Sequence, residues 1–321
     1  MISNNTDLSL AVNKLNSILN EVRKTVIGKD DIIAKVLTAM IAGGHILIED
    51  IPGVGKTTMA LSFSKALGLS CNRMQFTPDV LPTDILGFSV YSQKEDTFRL
   101  KKGAAVCNLF LADEINRTSS KTQSALLELM EEKRITIDGS SYDLPQPYIV
   151  IATENPIGSV GTQMLPESQL DRFMIRLRMG YPPHDAEISI LKNKGENISA
   201  EVSNVSSAKD MLLLQKIAGE IYVDDRIYDY MVRLSDATRN HHMIKLGLSP
   251  RGTLSISAMA KAAALFRGRS YVIPDDVGAV FCDAAAHRLV MSSKAAVSGI
   301  TPERLCSEIL SSVPVPGVKE R

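Results

Sequence analysis

The sequence predicts an α/β fold, a parallel five-stranded sheet with flanking helices, followed by a small all-helical domain. Three observations lead there. Residues 46–58 pass from an apolar run bounded by Gly43-Gly44, through a loop holding Pro52, Gly53 and Gly55, into a stretch where Met59, Phe63 and Leu67 recur at helical spacing. Two further apolar runs, 109–112 and 148–152, end in polar residues, as buried parallel strands do where open α/β sheets hold ligands. Beyond Tyr181-Pro-Pro183 the strand signals give way to amphipathic helical patterns, so the chain divides into 1–183, with two inserted hairpins, and 184–321.

Strand, glycine loop and helix start in that order make a cradle for phosphate. Asp50, Pro52, Gly53, Val54, Gly55, Lys56, Thr57 and Thr58 form it. The glycines let the backbone bend and turn bare N–H groups toward an anion at the positive end of a helix. Lys56 is placed to reach the β- and γ-phosphates, and the Thr57 hydroxyl to hold Mg²⁺. One departure stands at Asp50, where the strict pattern has glycine.

Upstream, Leu8, Leu15, Ile18, Leu19 and Val22 share one helical face. Val26-Ile27-Gly28-Lys29 ends that helix, and Asp30-Asp31 opens the next with negative charge at its positive end. An apolar turn before the phosphate-loop strand suits an adenine base, which makes Ile27 and Gly28 nucleotide-binding candidates; packing explains them equally well. Downstream, 73–76 reads as an edge strand, and two prolines and a glycine keep 77–87 from forming one regular helix. Residues 88–91 and 97–100 flank the polar Gln93-Lys-Glu-Asp96 as a hairpin, with Lys94, Arg99, Lys101 and Lys102 nearby.

The run Leu109-Phe-Leu-Ala-Asp-Glu114 puts two carboxylates at a strand's C-terminal end. Asp113 would hold the Mg²⁺ shell and Glu114 polarise the attacking water. Asn116-Arg117-Thr118 is expected to cap a helix bearing Ala125, Leu126, Leu129 and Met130, and a second hairpin turns at Asp138-Gly139. The strand 148–152 leads to Thr153, Glu154 and Asn155; the Asn155 amide could bond the attacking water or γ-phosphate, or serve as a turn-former before Pro156. A short helix then precedes the fifth strand, 174–179. Arg172 at its end reads either as a structural ion pair or as a finger on a neighbour's γ-phosphate. Helices are expected at 208–221, 225–239, 252–267 and 275–291, a flexible connection at 193–207 and a fraying tail after 311.

Composition removes some classes of function. Lys plus Arg and Asp plus Glu both count 36, so no global positive charge points to nucleic acid. No apolar run is long enough to span a bilayer, the first residues lack a secretory pattern, and four scattered cysteines read as reduced thiols. A cytoplasmic protein is expected.

These motifs, taken together, resemble the AAA+ ATPases and, within them, the MoxR branch, over roughly residues 15–310. The resemblance rests on Glu49-Asp-Ile-Pro-Gly-Val-Gly-Lys-Thr57, Gln75-Phe-Thr-Pro-Asp-Val-Leu-Pro-Thr-Asp-Ile-Leu-Gly87, Leu111-Ala-Asp-Glu-Ile-Asn-Arg117, Ala152-Thr-Glu-Asn-Pro156, Leu165-Pro-Glu-Ser-Gln-Leu-Asp-Arg-Phe173 and Ser249-Pro-Arg251. It implies a P-loop sheet with a helical lid, ATP and Mg²⁺ as ligands, and Asp at position 50 tolerated. It also implies Asn155 as sensor 1, Arg172 as arginine finger and Arg251 as sensor 2. Its further implications are a homo-hexameric ring, chaperone-like remodelling of a protein substrate, and a partner with a von Willebrand factor A-type domain. Glu154 departs from the family's usual Gln, and Lys101-Lys-Gly-Ala-Ala105 from a Pro-Gly-Pro-type run. The alternative function is a nucleic-acid-directed motor or a nucleotide-gated binding switch, which neutral charge and the lack of an appended nucleic-acid module disfavour.

Overall fold

The computed structural model describes residues 5–51, 53–94, 96–155, 164–192 and 202–317. Helices α1 (Asn5–Arg23) and α2 (Asp30–Ile41) lead into β1 (Ile46–Glu49), and α3 (Lys56–Leu67) follows the glycine loop. After β2 (Cys71–Gln75) and the short α4 (Pro82–Leu86), β3 (Gly87–Ser92) and β4 (Thr97–Lys102) form a hairpin. Then come β5 (Leu109–Asp113), a 3-10 turn (Ile115–Arg117), α5 (Ser120–Glu132) and the hairpin β6 (Arg134–Ile137) and β7 (Ser140–Asp143). β8 (Ile149–Glu154), α6 (Glu167–Leu170) and β9 (Ile175–Leu177) complete the sheet region.

The sheet runs β2-β5-β8-β1-β9 with every pairing parallel, and β2 is the edge strand its sequence suggested. Because side chains alternate along a strand, each apolar run feeds two cores. Ile46, Ile48, Leu109, Leu111, Ile149 and Ile151 face α1, α2 and α3. Leu47, Phe110, Ala112, Val150 and Ala152 face α5 and the 134–143 hairpin. β1 lies between β8 and β9, so the chain reverses its direction of strand addition there. Crevices open at such switch points beyond the strands' C-terminal ends.

The remainder is helical: α7 (His184–Lys192), α8 (Ala208–Gly219), α9 (Asp225–Arg239), α10 (Pro250–Phe266), α11 (Pro274–Ala285), α12 (Ser293–Val297) and α13 (Pro302–Ser312). It also holds a small antiparallel ribbon, β10 (Ile244–Leu246) with β11 (Val290–Met291). The helix expected over 275–291 therefore stops at Ala285. Residues 286–288 turn so that Arg288, buried, can donate to the Phe173 carbonyl (2.7 Å) and the Asp171 carboxylate (2.7 Å). The cap of α5 is Ser119, which accepts from the Thr122 amide, rather than residues 116–118. Of the connection expected to be flexible, 193–201 lie outside the described residues. Residues 203–205 are tied down: the Ser203 amide donates to Glu21 (2.9 Å) and the Val205 amide to the Ala66 carbonyl (3.1 Å). After α13, the Pro314 carbonyl still accepts from Arg233 (2.9 Å).

Candidate active site

Lys56 is buried at the start of α3, and its ammonium donates to the Asp50 carbonyl across the glycine loop (2.7 Å). Gly53 and Gly55 both hold left-handed backbone, φ 86° and 94°, which a side chain would strain. A Cβ at Gly53 would meet nothing within 4 Å, so the loop opens onto free space. Burial pulls the Lys56 pKa down, against the opposing pull of the Asp113, Asp50 and Glu114 carboxylates. Asp50 accounts for its departure from glycine. Its carboxylate accepts from its neighbour Ile51 (2.8 Å) and from the Gly180 amide (2.5 Å), tying the loop to the segment that leaves β9. Pro52 lies outside the described residues. Thr57 and Thr58 stand in the first turn of α3, half-buried.

The turn holding Ile27 and Gly28 reaches the same neighbourhood. Lys29 donates to the carbonyls of Met179 (2.5 Å) and Tyr181 (2.7 Å), and a Cβ on Gly28 would stand 2.6 Å from Ala186 Cβ. Met179 also approaches the Gly55 position, at 3.9 Å. The turn, the phosphate loop and the exit from β9 thus wall one crevice.

The acidic pair is held by a residue whose role the sequence does not reveal. Thr153, fully buried, donates to Asp113 Oδ1 (2.6 Å) and accepts from the Glu114 amide (2.8 Å). Glu114 adopts φ 57°, a left-handed conformation costly for a non-glycine residue and concentrated at functional sites. That twist breaks the strand's alternation, so both carboxylates act on Lys56. Arg73 of β2 donates to Asp113 Oδ2 (2.8 Å), and Arg117 donates to Glu114 Oε2 (2.8 Å). Asn116, buried, donates to the Asn155 carbonyl (3.1 Å), fixing the backbone at the end of β8. Glu154 is buried opposite Glu49, and burial together with that like charge pushes its pKa up to about 7, partly offset by Arg176.

The donor set suits Mg²⁺-ATP. Buried Lys56, the open glycine loop and a helix N-terminus suit phosphate, and a hydroxyl with one carboxylate is what Mg²⁺ takes when phosphate oxygens and water fill its shell. Among the described residues no cluster of three or more His, Cys, Asp or Glu could hold a metal by itself.

Arg172 and Arg251 sit elsewhere. Arg172 donates from Nε to Glu131 Oε2 (2.9 Å) and from Nη1 to the Ser168 carbonyl (3.1 Å). Arg251 pairs with the other oxygen of the same carboxylate. Glu131 belongs to the last turn of α5, whose Met130 carbonyl bonds His45 just before β1 begins (3.0 Å). The phosphate loop starts where β1 ends. With α5 on the other face of the sheet from α3, the arginines and the loop lie a strand length apart, on the order of 13 Å for four residues.

Comparison with known proteins agrees with this geometry. The AAA family description, ATPases associated with various cellular activities, matches residues 45–175, and an AAA lid description matches 236–309. Chaperone MoxR1 of Mycobacterium tuberculosis is 39% identical over 97% of this chain and 85% of its own. The chain belongs to the MoxR family of AAA+ ATPases. The uncharacterized protein YeaC of Bacillus subtilis is 42% identical over 94% of this chain and 95% of its own. A crystal structure of a candidate ATPase from Cytophaga hutchinsonii superposes with a TM-score of 0.91 at 34% identity, covering 97% of this chain and 98% of that one. This MoxR-family chain is accordingly an ATPase.

Proposed function

We propose that the chain is a ring-forming, Mg²⁺-dependent motor, most simply a homo-hexamer, that uses ATP hydrolysis to remodel or activate a partner protein. The observation carrying the reading is the separation of Arg172 and Arg251 from their own phosphate loop by the depth of the sheet. Arginines of this kind act on transferring phosphate only when they reach it. A neighbouring subunit supplies the missing approach, with both arginines acting in trans. Thr57 and Asp113 would hold the metal, which neutralises charge on the β- and γ-phosphates when bound. Lys56 binds phosphate, Glu114 takes the proton of the attacking water, and Asn155 positions that water. The sheet region through 183 and the helical region from 184 form the two working domains.

The name of the M. tuberculosis relative and the family resemblance support a chaperone-like role, with a von Willebrand factor A-type domain as the partner. The β3–β4 hairpin offers an exposed grip, with Phe98 and Tyr91 in ring contact at 5.5 Å and Lys101 over the Phe88 ring. Its basic residues also suit a nucleic-acid strand. ATPase stimulation by DNA at low salt, lost at high salt, would favour that second reading. Among the described residues no helix is long and apolar enough to cross a membrane.

The ring is tested by measuring turnover against protein concentration alongside sedimentation. Activity should appear with assembly. Full turnover by a strictly monomeric species at saturating ATP overturns the proposal.

A further inference from the structure

Arg172 and Arg251 come from different parts of the chain, one before β9 and one at the start of α10, yet both end on one carboxylate. Their backbones are first brought together by Asp171. It accepts from Ser249 Oγ (2.9 Å), the residue that caps α10, and from the buried guanidinium of Arg288 (2.7 Å). Two guanidiniums side by side repel each other, and the bridging carboxylate of Glu131 offsets that at the tips. Arg172 spends Nε and Nη1 on Glu131 and Ser168, and its Nη2 makes no hydrogen bond among the described residues. The cluster faces a cavity of about 490 Å³, open to an approaching group. Glu128 and Glu132 line that same cavity, so an arginine released from Glu131 has other acids to fall onto.

We propose that Glu131 is a positioning residue for ATP hydrolysis: its carboxylate bridges Arg172 and Arg251 and presents them as one unit to the nucleotide of the adjoining subunit. This rests on the trans reading of the two arginines and adds a residue to it. Glu131 touches no nucleotide in this scheme. Its effect passes entirely through the geometry of the two guanidiniums, and misplacing a catalytic group by about 1 Å can cost on the order of 100-fold.

Glu131→Gln keeps the shape of the side chain and removes the charge that holds both arginines. Its kcat should fall about 10–100-fold while the KM for ATP and ATP binding by the isolated subunit stay within about twofold of wild type. A structural lesion would move both. Subunit mixing then assigns the defect to a side of the interface. Arg172→Ala mixed with Lys56→Ala should regain activity, which checks the trans reading itself. Glu131→Gln mixed with Lys56→Ala should regain activity to the same degree, because the Lys56→Ala subunit lends an intact arginine pair. Glu131→Gln mixed with Arg172→Ala should stay inactive, because both lack a working pair. If the Arg172 and Lys56 control stays dead, the trans reading falls and this proposal with it. If the control recovers but Glu131→Gln complements Arg172→Ala, or Glu131→Gln turns over at or above the wild-type rate, the trans reading stands and the role of Glu131 is overturned.

Discussion

At the C-terminal end of the sheet, Lys56 is buried, bonded to its own loop and surrounded by Asp50, Asp113 and Glu114. At the other end, Arg172 and Arg251 are partly exposed and share Glu131 beside an open cavity. The first cluster is preorganised within the chain, with left-handed glycines, a strained Glu114 and a buried threonine fixing each group before ligand arrives. The second has charge and orientation but no phosphate cradle. A phosphate-facing cluster and an arginine cluster at opposite ends of the sheet fit the head-to-tail ring proposed above, since such an interface joins two different surfaces.

The largest effects should separate the two clusters by kind. Arg172→Ala should bind ATP nearly normally and lose about 10³-fold in turnover. Glu114→Gln should lose about 10²–10⁴-fold and accumulate a stable ATP-bound form. Lys56→Ala should instead fail at binding, as read by nucleotide titration. Were Arg172→Ala to lose nucleotide binding as Lys56→Ala does, the two clusters would be one site and the comparison would collapse.

A smaller effect tests the interior of the first cluster. Thr153→Val preserves shape but leaves Asp113 Oδ1 without its donor and the Glu114 amide without its acceptor. Turnover should fall about 10–100-fold, and stability by about 1–3 kcal/mol, the usual cost of a buried group left unpaired. Thr153→Ser should restore both. Equal activity in the valine variant would show that the carboxylates hold their places without that hydroxyl.

The last effect, on stability and its pH dependence alone, concerns Glu154, beside the first cluster and absent from the second. Its folded pKa is raised from 4.5 to about 7. The protonated form is therefore favoured by folding, so its contribution is fully present below pH 4.5 and is lost as pH rises through about 7. Relative to Glu154→Gln, the wild type should lose up to roughly 3 kcal/mol across that window, at ~1.4 kcal/mol for each tenfold difference in proton affinity between the folded and unfolded chain. Denaturant midpoints at pH 4.5 and 8 measure it. Parallel curves for the two proteins would mean that Arg176 outweighs burial and the Glu49 charge and keeps Glu154 ionised at no cost.

Much of the chemistry was legible in residue type and order. A strand, a glycine loop and Lys-Thr at a helix start form one local unit, and local units need no distant partner to be read. The same holds for Asp113 and Glu114 at the end of an apolar strand, and for the two hairpins at 87–102 and 134–143. Residue pattern also marked the central strands as buried, because a strand covered on both faces is written as consecutive apolar residues. It overran the 275–285 helix because the period continues past Ala285 while the buried bonds of Arg288 demand a turn.

What only the tertiary structure decided are relations between residues far apart in the chain. Thr153 looks like any strand-end hydroxyl until β8 pairs beside β5 and brings it to Asp113. Asp50 looks like a lapse from glycine until its carboxylate meets the Gly180 amide. Arg172 and Arg251 are separate cations in the sequence, and their convergence on Glu131 depends on α6, α10 and α5 meeting at one end of the sheet. Spacing along the chain encodes what one helix or strand does alone. Which charges share a carboxylate is set by packing, where close approach and desolvation decide the partners.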